Sequence, residues 1–186
     1  MKASSLTLTA MLLTAAFAAA GLPGAADAHK AHSHGNAKLE VAVDGPVLTL
    51  TLESPLDSLV GFERAPRNDA ERERVRAMAR TLRAGDGFAP TAAARCRLER
   101  VELASPVIAP ELLGESGGEA RDKTDDGHAD LDGTFVYRCE DAKALTGVDV
   151  LLFDHFKRLR RVDAQVAGPK GQSAAKLTAK SRQIRW

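Results

Sequence analysis

Aromatic residues are scarce: one Trp, one Tyr and six Phe amount to 4% of the 186 residues. Such a chain has few rings on which to stack bases or sugars. An excess of charge is missing too, since 26 Lys and Arg oppose 25 Asp and Glu for a formal net charge of +1. Both shortages argue against a nucleic-acid binder, which normally carries a basic surplus. Catalytic signatures are also missing. There is no nucleophile elbow, no His-Glu-x-x-His and no P-loop, and the serines form no visible arrangement with His and Asp. With two cysteines in all, no thiol is spare if they pair, and the expectation is a protein that is not an enzyme. The longest apolar run, Leu6 to Ala20, is too short for a comfortable membrane span.

That run reads instead as the core of a secretory leader. Lys2 precedes it, Pro23 and Gly24 break it, and Ala26-Asp27-Ala28 fits a signal-peptidase site. No cysteine follows for a lipid anchor, and no twin arginine precedes it. Residues 1–28 are therefore expected to be a signal peptide, cleaved on export. About 158 residues remain, enough for one domain with a true core.

The first residues after that cut are His29-Lys30-Ala31-His32-Ser33-His34-Gly35, so three of the five histidines gather there. Neutral imidazole is a common ligand for zinc and copper. His32 and His34 are two apart and share one side of an extended chain. A mobile arm over residues 29–36 must lose entropy to close on an ion, which favours modest affinity and easy transfer. A protonated ring cannot coordinate, so binding should weaken below imidazole's ordinary pKa of about 6.5.

The remainder, residues 37–186, reads as a single β-rich domain. Ala37, Leu39, Val41 and Val43 alternate with polar residues, as do Leu48, Leu50 and Leu52, across a turn at Asp44-Gly45-Pro46. This pattern predicts a β-hairpin. Leu59 to Pro66 reads as irregular. Asn68 as N-cap, with Glu71 three residues on, opens a helix whose stripe is Val75, Met78, Ala79 and Leu82 and whose stop is Gly85. The arginines of that helix read as a solvated face paired with Glu71 and Glu73. Further strands are expected at Cys96–Leu103 with a bulge near Glu99 or Arg100, at Leu131–Cys139, at 148–152, at 162–166, at 175–179 and near Ile184. A flexible acidic loop is expected at 114–127. The fold class is α+β and β-rich, an antiparallel sheet or sandwich-like domain with one main α-helix.

In an exported chain Cys96 and Cys139 are expected to form a disulfide, with a Cys-His metal site as the rival reading. His128 and Asp130 place imidazole and carboxylate on one side of a strand and could complete a metal site begun elsewhere. His155, between Phe153 and Phe156, reads as structural. Glu63 reads as a ligand or as an ion-pair partner of Arg64 or Arg67.

The order of several short motifs resembles the ZrgA-like family of periplasmic zinc-binding proteins. They are His34-Gly35-x-Ala37-x-Leu39-x-Val41-Ala42, Ser54-Pro55, Val60-Gly61-Phe62-Glu63-x-Ala65-Pro66, Ala94-x-Cys96, His128-Ala129-Asp130, Cys139, Leu152-Phe153-x-x-Phe156 and Gly171-Gln172 with Leu177-Thr178. The resemblance implies a periplasmic accessory protein that binds zinc, buffers it or delivers it to an import system, and performs no catalysis. It implies a metal set of His29, His32, His34, His128 and Asp130. Many members carry a long His- and Asp-rich insert where this chain has a short loop, and several carry His at the position of Arg64. Both departures lower the expected number of bound ions. Two other readings stay open from the residues. One is a copper protein or enzyme using His29 in a histidine brace, with Tyr137 as an apical aromatic. The other is an exported structural β domain whose histidines are incidental.

Overall fold

The computed structural model describes residues 34–116 and 129–186. The expected leader, His29, His32, most of the expected acidic loop and His128 lie outside the described residues. The chain forms β1 (Asn36–Asp44), β2 (Val47–Pro55), α1 (Leu56–Val60), α2 (Asp69–Arg83), β3 (Phe88–Pro90), β4 (Cys96–Ala104), α3 (Pro110–Leu113), β5 (Asp130–Cys139), β6 (Gly147–Val150), α4 (Leu152–His155), β7 (Arg161–Gly168), β8 (Gly171–Leu177) and β9 (Gln183–Arg185). A six-stranded sheet runs β4-β5-β2-β1-β7-β8, and a small sheet runs β3-β6-β9. The α+β, β-rich class expected from the sequence is the one found. Among the described residues no helix is long and apolar enough to cross a membrane.

The β1–β2 hairpin follows from alternation and turn chemistry. Asp44 pairs with Val47, leaving Gly45 and Pro46 as the turn, and Leu39, Val41, Leu48, Leu50 and Leu52 form one buried face. The large sheet is mixed rather than purely antiparallel, because β1 pairs parallel to β7 from Asn36↔Arg161 to Ala42↔Ala167. Two hairpins, β1–β2 and β7–β8, are thus joined through their first strands. Alternation shows which face of a strand is buried and is blind to the direction of its neighbour.

Helix α2 covers the buried face with Val75, Met78, Ala79 and Leu82. Asn68 accepts a hydrogen bond from the Glu71 N–H at 2.9 Å, as an N-cap should. Past the helix, Gly85 takes φ +80°, a left-handed turn that side chains rarely adopt. Phe88 meets Phe135 edge-on, with centroids 4.9 Å apart. The expected bulge lies where the β4–β5 register shifts between Leu98 and Arg100.

Three local expectations need correction. Residues 56–60, partly read as irregular, are the helix α1, whose Leu56 is fully buried. β8 ends at Leu177, with Thr178 and Ser181 in an isolated bridge beyond it. Glu71 is not part of a solvated helix face: it is buried and bonded to Arg64 outside the helix. Glu73 does behave as read, with Arg80 at 2.7 Å and Arg76 at 3.7 Å. Cys96 and Cys139 stand opposite each other on β4 and β5 and are joined as a disulfide. Neither thiol is left to hold a metal.

Candidate metal site

The site is built on α1, a helix too short to be stable alone and fixed by its contacts. Leu56 anchors it in the core, and the Leu56 N–H donates to the Ala129 carbonyl at 2.9 Å. Fully buried Ser58 accepts from the Gly35 N–H at 2.9 Å. The Gly35 carbonyl in turn accepts from the Arg160 and Arg161 N–H groups at 2.7 and 3.0 Å. Gly35 has φ +82°, and a Cβ there would stand 3.0 Å from the Arg158 carbonyl oxygen. The expected mobile arm of residues 29–36 is therefore shorter at its inner end: residues 34–36 are a docked turn and the start of β1.

That docking aims His34 at two carboxylates. Its Nδ1 lies 3.3 Å from Asp57 Oδ2 and 3.5 Å from Glu63 Oε1. The His34 side chain is 66% exposed, Glu63 39% and Asp57 only 13%. Asp57 is held from the other side by Arg158, whose Nη2 donates to both carboxylate oxygens at 2.8 Å and whose Nε donates to the Asp57 carbonyl at 2.9 Å.

Glu63 is positioned by the segment around it. Arg64 donates to both oxygens of Glu71 at 2.7 and 2.8 Å, and the Arg67 N–H donates to Glu71 at 2.7 Å. The Arg64 guanidinium also lies 5.0 Å from the centre of the Phe62 ring. Hydrogen bonding from Arg64, then from the Arg67 backbone, brings the Glu71 carboxyl down to about 2. The same bond raises Arg64 above its ordinary value. Arg64 is thus spent on Glu71, and Glu63 faces His34 instead of the neighbouring arginines.

The site residues expected from the sequence are distributed as follows. His34 lies in the cluster just described. Asp130 opens β5 opposite Pro55, one residue from the Ala129 carbonyl that holds α1, and shares the outward face of the sheet with Asp132. His29, His32 and His128 lie outside the described residues. His155 is exposed and sets its Nε2 3.2 Å from the Asp86 carbonyl oxygen, a tie between α4 and the loop after α2. Asp57 and Arg158 went unread in the sequence. They are 101 positions apart and pair only in the fold.

A tetrahedral zinc site with bonds of about 2.0–2.2 Å spaces its donors about 3.3–3.6 Å apart. The His34–Asp57 and His34–Glu63 separations of 3.3 and 3.5 Å match that edge length, and the donor types suit zinc. Among the described residues, however, no three His, Cys, Asp or Glu side chains are already grouped to hold an ion. The cluster thus matches a tetrahedral site in two edge lengths, both from His34 Nδ1, with one carboxylate held by an arginine.

Compared with known protein families, residues 31–186 match the ZrgA family of zinc uptake proteins. No curated protein matches the chain.

Proposed function

Because the chain belongs to the ZrgA family of zinc uptake proteins, we propose that it is a periplasmic zinc carrier. It binds the ion outside the cytosol, buffers it, and passes it to an import system in the inner membrane without chemistry of its own. The observation that carries this reading is the double anchoring of α1. Leu56 receives the chain at Ala129, and Ser58 and Asp57 receive it at Gly35 and His34. Gly35, next to His34, and Ala129, next to Asp130, thus meet the same short helix. One ion could draw donors from around both, with Asp57 and Glu63 beside His34.

The disulfide suits an oxidising compartment. Calorimetric titration of the purified protein with zinc chloride at neutral pH tests the reading. Binding is expected, weakened about ten-fold or more by His34→Gln through loss of one ligand. No binding to the unaltered protein would end the carrier proposal. Binding indifferent to His34 would remove the site from α1.

A further inference from the structure

The Asp57 carboxylate is mostly buried, and a carboxylate in that position needs a cation partner. In the structure the partner is Arg158, bonded to both oxygens at 2.8 Å. The two side chains differ sharply in exposure, Arg158 at 60% and Asp57 at 13%. Water can accept the exposed guanidinium at little cost, whereas the carboxylate is largely covered by the protein. Gly61, whose φ of +87° side chains rarely adopt, lies beside the arginine stem, its Cβ position 3.7 Å from Arg158 Cδ.

Resting on the carrier reading above, we propose that Arg158 is an internal stand-in for the metal. In the metal-free protein it neutralises Asp57, and the arriving zinc ion takes the carboxylate from it. The step is a ligand exchange: two N–H···O bonds break, a metal–carboxylate bond forms, and the guanidinium passes to water. No proton or electron moves. Release runs the exchange backwards, with Arg158 returning to Asp57 as the ion leaves. An arginine in competition for a ligand lowers zinc affinity and spares the protein an uncompensated charge at hand-over. Such a trade suits a carrier and would handicap a storage protein.

Zinc chloride competed against a chromophoric chelator measures the effect in the full protein. Arg158→Gln is expected to bind zinc about ten-fold more tightly, from loss of both the competitor and a positive charge beside a dication. Arg158→Lys, which keeps the charge, should stay within about two-fold of the unaltered protein. In an Asp57→Asn background, Arg158→Gln should change affinity by less than about two-fold, since the contested group is gone. In the unaltered protein, zinc should raise the phenylglyoxal reactivity of Arg158 at least about two-fold by mass spectrometry, because the guanidinium nitrogen now bonded to both Asp57 oxygens would be open to reagent. This last measurement does not depend on any variant folding. Equal or weaker binding by Arg158→Gln, a gain that persists without Asp57, or unchanged reactivity would each overturn the exchange. Failure of the unaltered protein to bind zinc would instead overturn the carrier reading on which it rests.

Discussion

Breaking the Cys96–Cys139 bond should separate the stability of this fold from its metal chemistry. The two cysteines are 43 positions apart and close β4 onto β5. On the chain-entropy account a loop of that length adds about 4 kcal/mol to stability by restricting the unfolded chain. For a protein of this size each kcal/mol moves the melting temperature by about 2–4 °C, so reduction should lower Tm by about 8–16 °C. The bond lies at the end of β5 opposite Asp130. At about 3.3 Å per residue the ten-residue strand separates them by about 30 Å. Zinc affinity should therefore stay within about two-fold in any reduced protein that remains folded. Scanning calorimetry of the oxidised and reduced protein, together with the Cys96→Ser/Cys139→Ser variant, gives the first quantity, and zinc titration below the lower Tm gives the second. A Tm loss under about 3 °C would show that the unfolded chain is already restricted without the bond and would refute the entropic argument. A large change in zinc affinity would refute the claim that site and staple are independent.

Glu71, held at about 2 in the fold, stabilises the protein above the ordinary carboxylate range and loses that contribution as pH falls from about 4.5 towards 2. Melting temperature should fall more steeply across that window in the unaltered protein than in Glu71→Gln, and equal slopes would remove Glu71 from the acid transition. Ser58→Ala leaves the Gly35 N–H without its buried acceptor, a loss of about 1–3 kcal/mol in denaturant unfolding. Zinc affinity should drop with it, because His34 loses its backbone anchor. Unchanged affinity would show that His34 is held by other contacts.

Legibility in the sequence followed the range of the interaction. The β1–β2 hairpin could be read because its two faces and its turn lie within twenty residues, and α2 because cap, stripe and stop are all local. The bulge near Glu99 could be read because alternation loses phase there. Helix α1 could not, since Leu56–Val60 is too short for periodicity and is fixed by partners at residues 35 and 129. The parallel β1–β7 pair escaped because strand direction leaves no mark on alternation. At the site, His34 was visible as a histidine among histidines. Its carboxylate Asp57 is 23 positions away, and the competing Arg158 a further 101. Glu63 stands out in an apolar segment as a ligand or an ion-pair partner, and of these the pairing with Arg64 gives way because Arg64 is claimed by Glu71.

The division between rigid and exchangeable parts bears on how such a protein could work. A closed tetrahedron of four fixed ligands holds zinc strongly and releases it slowly. Here the backbone of His34 is fixed, since Gly35 is hydrogen-bonded on both sides, while its ring stays two-thirds exposed. Glu63 is placed by a tightly bonded Arg64–Glu71 pair and yet opens to solvent. Asp57 is largely covered but already neutralised by Arg158. On the carrier reading proposed above, each of these groups would serve as a donor without being stranded when the ion is absent. An incoming ligand from another protein can reach the exposed side of His34 and Glu63 first, and Arg158 can reclaim Asp57 last. Stepwise substitution of this kind never exposes an unpaired buried charge, the state that would otherwise raise the barrier to transfer.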